Sequence, residues 1–188
     1  MMKFVLAIEV KEYQETGEKK FMFVERGWAE TDPKYRQIIP YVVLSDNKGR
    51  VGLFQRNKGS EKRLSGLYTI GVGGHIDFKD VSDLLSGDNF IDNALSAAVF
   101  REVEEEVNIC PTAVINTGKI IESSDTDVDS VHYGIIFKAK TNLSEEQIRK
   151  NMGSLERQEL IFHGFKTIEE IWKITNLESW SQKTLPQL

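Results

Sequence analysis

The chain has 188 residues, 40% of them hydrophobic and 28% charged, which is typical of one folded domain with a sizeable core. Its 24 lysines and arginines against 29 aspartates and glutamates give a net charge of −5, which argues against a general nucleic-acid binder. The single cysteine, Cys110, excludes an internal disulfide and favours the reducing cytoplasm. No signal-peptide pattern and no run of roughly 20 apolar residues occurs, so we expect a soluble protein without a membrane partner.

The N-terminal third predicts strands joined by short turns. Residues 3–10 and 19–27 are rich in strand-forming residues and flank a glycine-containing turn at 14–18. Residues 38–44 and 50–56 flank the sequence SDNKG, which predicts a second hairpin.

Closely spaced glycines end the next predicted strand, residues 67–77. They are Gly71, Gly73 and Gly74. Glycine within a strand marks a bulge or a place where the backbone approaches a ligand closely. A plain bulge or a bend in the sheet accounts for them equally well, so both interpretations stay open.

The strongest helical pattern begins near residue 90, with Asn89 as a predicted N-cap. Apolar residues recur every three or four positions, at Ile91, Leu95, Ala98, Val99, Val103 and Val107. Two further strands are predicted at 113–123 and 131–140, and a third at 159–167. Two short helices, at 144–152 and 167–174, begin with capping boxes, and residues 177–182 are predicted to be helical or irregular. Strands around one central helix predict a mixed α/β sandwich.

The C-terminal half of this helix carries Glu102, Glu104, Glu105 and Glu106. On a helical wheel at about 100° per residue, the apolar stripe runs into three of them, and Glu104 alone points elsewhere. Like charges four residues apart repel by roughly 0.2–0.5 kcal/mol, and a divalent cation reverses that repulsion. Carboxylates with few other ligands suit Mg²⁺ or Mn²⁺, especially beside a phosphate. An ordinary solvated glutamate face is the alternative.

Glycines and glutamates together resemble the Nudix hydrolase signature, G-x5-E-x7-R-E-U-x-E-E-x-G-U, in which U is a bulky aliphatic residue. REVEEEVNI, residues 101–109, matches its second half, and GGHID, residues 73–77, is similar to the glycine pair that opens it. There are three departures from the signature. Residues 78–90 are an insertion, Asn93 stands in place of a glutamate, and Asn108 replaces the final glycine. The longer frame is also similar to a bacterial subgroup of predicted phosphoesterases.

The resemblance implies a Nudix-type α/β/α sandwich with a mixed β-sheet. It also implies magnesium-dependent hydrolysis of a pyrophosphate bond in a nucleoside diphosphate linked to another moiety. By the same resemblance, residues 1–188 form one domain, with a strand extension at 1–36 and a catalytic core at 37–188. The implied metal ligands are Glu102, Glu105, Glu106 and the backbone carbonyl of Gly73 or Gly74. Arg101 would orient the glutamates, and Glu105 or Glu106 would assist the attacking water.

Candidate substrate contacts lie around the glycines. Arg56 and Arg63 belong to a basic segment that could bind phosphates, although a solvated loop is the alternative. His75 is a candidate for substrate contact or for a structural hydrogen bond. Some Nudix hydrolases use a downstream acid as the catalytic base, and four residues are candidates for that role: Glu122, Asp125, Glu159 and Glu178.

Two other functions stay open: a non-catalytic sensor of nucleotide metabolites, and an isomerase of a small diphosphate. The intact glutamates argue against the sensor, and Asn93 together with the insertion favours it. The isomerase would need an additional acid or cysteine over the substrate, and Cys110 follows the helix. The N-terminal strands and the insertion are consistent with a homodimer interface or with a lid, and the sequence does not separate the two.

The position of Asn93 can be tested by restoring the acid of the signature. If the insertion has removed this position from the site, Asn93→Glu should change metal-dependent activity only modestly, because the new carboxylate would lie away from the metal. The measurement is turnover of the preferred substrate with Mg²⁺. A large gain would show that the signature has been aligned wrongly.

Overall fold

The computed structural model describes residues 3–57, 63–81 and 90–188. In these ranges the strands are β1 (Phe4–Glu9), β2 (Phe21–Glu25), β3 (Tyr35–Ser45), β4 (Val51–Arg56), β5 (Tyr68–Thr69), β6 (Gly71–Val72), β7 (Ala113–Ile121), β8 (His132–Lys140) and β9 (Leu160–Lys166). The α-helices are α1 (Val10–Thr16), α2 (Arg26–Ala29), α3 (Phe90–Val107), α4 (Asp127–Ser130), α5 (Glu145–Gly153), α6 (Ile168–Ile171) and α7 (Ser179–Thr184). The predicted α/β class is confirmed, with a sheet whose pairings are mostly antiparallel.

The chain forms two compact units. The first comprises Met1–Pro40, Gly74–Val99 and Ile120–Ile135. The second comprises Tyr41–Gly73, Phe100–Lys119 and Ile136–Leu188, and therefore contains the glutamate-rich end of α3. The single domain that the sequence predicts stays a prediction.

In the first unit, β1 pairs antiparallel with β2 and with the beginning of β3. The sequence predicts a turn between β1 and β2, and this prediction is wrong, because the structure has the helix α1 there. Residues 10–16 are mostly lysine, glutamate, glutamine and other helix-compatible types. Gly17, with φ of 73°, ends α1 in the left-handed conformation and donates its N–H to the Tyr13 carbonyl.

The second unit is organised around β4, which pairs antiparallel with β9 over its whole length and with β5 near its end. The predicted hairpin between β3 and β4 is confirmed, with Ser45 opposite Val51. Both predicted capping boxes are present, at the starts of α5 and α6. No helix in the described ranges combines the length and apolar character needed to cross a bilayer.

The predicted strand at 67–77 is broken into two strands of two residues each, β5 and β6. The Tyr41 ring packs directly against the backbone of Gly71, so closely that a Cβ there would lie 2.2 Å from a ring carbon. The Gly71 N–H donates to the Thr69 hydroxyl at 3.1 Å. Gly71 is therefore required by the close approach of an aromatic ring.

Replacing Gly71 tests this packing. Gly71→Ala should lower the free energy of unfolding by about 1–3 kcal/mol, because the Tyr41 ring must move to admit the methyl group. Urea unfolding monitored by circular dichroism measures the change. The control is Gly153→Ala at the end of α5, where a Cβ meets nothing within 4 Å and helix propensity favours alanine. Equal stability of the two variants would contradict the assigned contact.

Candidate active site

The C-terminal half of α3 presents its glutamates to different environments. Glu102 is buried, at 7% exposure, beside the fully buried Val103. The side chain of Glu106, one turn further on, is 12% exposed, whereas that of Glu105 is 53% exposed. Burial of Glu102 and Glu106 agrees with the wheel, on which the apolar stripe runs into three carboxylates, but the third, Glu105, lies at the edge of the stripe and is exposed.

Helix α3 ends just after this group of glutamates. Asn108 follows it with φ of 54°, in the left-handed region, and donates its backbone N–H to the Glu104 carbonyl at 2.9 Å. Asparagine is one of the residues that tolerate this conformation, so Asn108 ends the helix where the signature has glycine.

Arg101 lies between two of the carboxylates. Its Nη1 donates to Glu102 Oε1 at 2.5 Å and to Glu105 Oε2 at 3.0 Å. The Arg101 and Glu102 side chains are mostly buried, so solvent screens their ion pair weakly, whereas the pair with the exposed Glu105 is screened more strongly. The guanidinium therefore offsets the repulsion between neighbouring carboxylates and holds both in place.

A second arginine, Arg56, lies at the end of β4 between two other carboxylates. Its Nε donates to Glu178 Oε2 at 3.2 Å, and its Nη1 lies 4.0 Å from Glu106 Oε1. Burial acts to lower the pKa of Arg56, but the charges of Glu178 and Glu106 outweigh burial and raise it. Arg56 is thus a permanently charged group at this position.

Glu178 is surrounded by hydroxyl groups at the start of α7. Thr69 and Tyr41 donate to its Oε1 at 2.5 and 3.1 Å, and the Ser181 hydroxyl lies 2.8 Å from the Tyr41 hydroxyl. These three residues are buried, and the Glu178 side chain is 5% exposed. Sequence reasoning named Glu178 only as a candidate base and missed the hydroxyls, because nothing in local spacing connects them.

The electrostatics of Glu106 differ from those of an exposed glutamate. Burial raises its pKa to about 8, and the negative charges of Glu102, Glu159 and Glu178 act in the same direction, against the lowering effect of Arg56. Its Oε2 is buried and has no hydrogen-bond partner among the described residues. A buried carboxylate oxygen in this state is costly, so a bound cation would stabilise it.

A divalent metal fits this donor set. Buried carboxylates on one face of a helix offer the oxygen ligands that Mg²⁺ and Mn²⁺ prefer, and Glu106 Oε2 is a ligand atom without a competing partner in the described ranges. Within the same ranges, no three acidic, histidine or cysteine side chains converge into a ready-made metal site. Arg101 and Arg56 instead contact the carboxylates.

The other predicted site residues are placed as follows. Gly74 and His75 follow β6 and belong to the first unit, where His75 Nε2 lies 3.4 Å from His132 Nε2. Arg63 is exposed in the turn at 63–66. Asn93 is exposed on α3. The predicted cap Asn89 and most of the insertion, residues 82–89, lie outside the described residues.

The four candidate bases have distinct surroundings. Glu122 pairs with Arg36 in the first unit, and Asp125 is exposed. Glu178 is engaged by Arg56 and the hydroxyls. Glu159 is half-buried immediately before β9, in the second unit with Glu106, and its charge contributes to the raised Glu106 pKa.

Comparison with known proteins places this chain in a family. Protein YmaB of Bacillus subtilis (strain 168) is 30% identical over 173 residues, which cover 88% of this chain and 77% of the relative. The structure of Tm1382, described as a Nudix hydrolase, matches with a TM-score of 0.72 and 25% identity over 98% of this chain and 97% of that chain. The chain belongs to the Nudix hydrolase family.

A further solved structure has a similar fold. DR0079 from Deinococcus radiodurans matches with a TM-score of 0.61 over 98% of each chain, at 13% identity, which shows likeness of fold. No family model matches the chain. The predicted Nudix-type fold is confirmed, with α3 as the helix that carries the glutamates of the signature.

The raised pKa of Glu106 in this Nudix chain predicts a pH dependence of stability. The folded-state pKa, about 8, exceeds the ordinary value of 4.5, so the folded state binds this proton more tightly. The stability from this group is therefore present below pH 4.5 and is lost as pH rises through about 8, by up to about 1.4 kcal/mol per pH unit. Glu106→Gln should remove this slope and make the metal-free protein more stable than wild type in alkaline buffer.

Chemical unfolding in EDTA across this pH range measures the effect. The control is Glu104→Gln, which removes a carboxylate from the exposed side of the same helix and should keep the wild-type slope. Parallel pH profiles for wild type and Glu106→Gln would contradict the burial of this charge.

Proposed function

We propose that this Nudix hydrolase cleaves a pyrophosphate bond in a nucleoside diphosphate linked to another moiety, with Mg²⁺ or Mn²⁺ as cofactor. The observation that carries the proposal is Glu106, a buried carboxylate on the same helix face as Glu102, whose Oε2 has no hydrogen-bond partner in the described part of the chain. That oxygen supports a role as a metal ligand. Family membership supports the reaction type.

The metal ligands in this proposal are Glu102, Glu105 and Glu106, with the backbone carbonyl of Gly74. When bound, the metal would neutralise the phosphate oxygens and acidify the attacking water. Arg101 holds Glu102 and Glu105 through its two ion pairs, so it fixes the direction of both carboxylates before substrate arrives. Such preorganisation lowers the reorganisation needed as charge develops in the transition state.

Removal of a proton from the attacking water requires a carboxylate near the reacting phosphorus. Glu105 or Glu106 could assist it, and Glu159 is the downstream acid that the contacts favour. Among the other downstream acids, Glu122 and Glu178 are engaged by arginines. Glu159→Gln should therefore lower kcat more than Glu122→Gln does.

The substrate contacts in this proposal are Arg56, Arg63 and His75. Arg56 is supported by its place beside Glu106, where a cationic Nη could bind a phosphate oxygen. Arg63 lies in the turn that returns to Arg56, since the Gly66 N–H donates to the Arg56 carbonyl at 2.9 Å. The role of His75 rests on the signature alone. A homodimer and a cytoplasmic location stay predictions.

The test is release of phosphate or monophosphate from a panel of nucleotide sugars, dinucleoside polyphosphates, ADP-ribose and nucleoside triphosphates, with and without Mg²⁺. We expect magnesium-dependent turnover of one class, reduced at least about a hundredfold in Glu106→Gln because a metal ligand is lost. Glu104→Gln is the matched control and should retain activity.

Two outcomes would contradict the proposal in different ways. Wild-type turnover in Glu106→Gln would refute the metal assignment. Silence of the wild type across the panel, with one compound still raising the melting temperature, would favour the sensor, the function that the exposed Asn93 in place of a glutamate keeps open.

A further inference from the structure

The two edges of the Arg56 guanidinium face different carboxylates. The Nε edge donates to Glu178 at 3.2 Å, whereas Nη1 stands 4.0 Å from Glu106, at the outer limit of an ion pair. Both carboxylate side chains and Arg56 itself are at least 85% buried. Arg56 therefore makes its shorter contact, a hydrogen bond, with Glu178. That bond determines how the guanidinium is oriented.

Glu178 is in turn held in a fixed position. Its Oε1 accepts from Thr69 and Tyr41, and its Oε2 accepts from Arg56, so both oxygens are engaged. The Ser181 hydroxyl completes this shell by accepting the Ile70 N–H at 3.0 Å. A carboxylate that accepts from this many donors is held rigidly in one orientation.

The bond from Arg56 to Glu178 affects how closely Arg56 can approach Glu106. Without Glu178, the nearest carboxylate to the buried Arg56 in the described site would be Glu106, and a buried guanidinium without its main counter-charge would move to pair with it. A close Arg56–Glu106 pair would compete with a metal for the Glu106 oxygens. At 4.0 Å, Arg56 keeps a positive charge beside Glu106 and leaves Glu106 Oε2 without a hydrogen-bond partner in the described ranges.

We propose that Glu178 is a positioning residue: it holds Arg56 away from Glu106, so that Glu106 can bind the metal while Arg56 faces the substrate. The proposal rests on the proposed function of the same site. It assigns Glu178 no contact with the reacting atoms, and it predicts that every effect of Glu178 on the site passes through Arg56.

A double-mutant cycle tests this dependence. Glu178→Gln keeps the size of the side chain and one acceptor oxygen, and it removes the charge and the second acceptor. We expect it to weaken Mn²⁺ binding about tenfold, and to lower kcat/KM at limiting Mg²⁺ by a similar factor. In the Arg56→Gln background the same substitution should change Mn²⁺ affinity less than about twofold, because no guanidinium remains to move onto Glu106.

Controls separate positioning from general stability. Glu145→Gln removes a carboxylate of the same unit that pairs with Arg149 and accepts the Phe165 N–H, and it should leave Mn²⁺ affinity unchanged. Melting temperatures of all variants are measured alongside. Should Glu178→Gln fail to fold, Glu178→Asp and the double variant, which removes both members of the Arg56–Glu178 pair, carry the comparison.

The outcomes distinguish this proposal from the proposed function. Equal effects of Glu178→Gln in the two backgrounds, or unchanged Mn²⁺ affinity in a folded Glu178→Gln protein, would overturn the positioning role even if wild-type hydrolysis is confirmed. Absence of hydrolysis with Mn²⁺ binding and the expected non-additivity would refute the reaction and retain the positioning role. Absence of Mn²⁺ binding by the wild type would overturn both.

Discussion

The buried guanidinium of Arg56 is the counter-charge for two buried carboxylates, Glu178 and Glu106. The electrostatics of this site depend on how that one positive charge is placed between them. Arg56 bonds to Glu178 and stands further from Glu106, so only one of the two acids has its charge fully compensated. Burial without a full counter-charge raises the pKa of a carboxylate, and it raises that of Glu106. The energetic cost of burying a charge therefore falls on Glu106, the residue that the Nudix signature assigns to metal binding.

The shell around Glu178 shows how the fold stabilises the compensated acid. Hydroxyl groups from β3, β5 and α7 converge on it, and the Tyr41 ring must pass directly over Gly71 to bring its hydroxyl there. Gly71, over which the ring passes, lies in β6, directly after the break in the predicted strand at 67–77. Gly71 therefore has a packing role, which is separate from the metal-binding role proposed for the glycine pair at 73 and 74.

Arg101 and Arg56 illustrate two uses of the same side chain. Arg101 is adjacent to the carboxylates that it pairs with on α3, so it offsets repulsion locally. Arg56 reaches Glu178 across 122 positions of sequence, and its placement depends on the pairing of β4 with β9 and β5. The ion pairs of Arg101 follow from the spacing of residues along one helix. The bond of Arg56 exists only because β4 lies next to the start of the C-terminal helix in the folded chain.

Local patterns in the sequence determined α3, both capping boxes, the β3–β4 hairpin and the contrast between buried Glu102 and exposed Glu104, because each depends on neighbours within about one turn of helix or one hairpin loop. The motif also identified the family. The sequence did not predict α1, whose exposed residues carry no apolar period, or the division of 67–77 into two strands. Nor could it connect Tyr41, Thr69 and Arg56 with Glu178. Burial of charge depends on what packs around a side chain from distant segments, so only the tertiary structure decided that Arg56 bonds to Glu178 and leaves Glu106 without a full counter-charge.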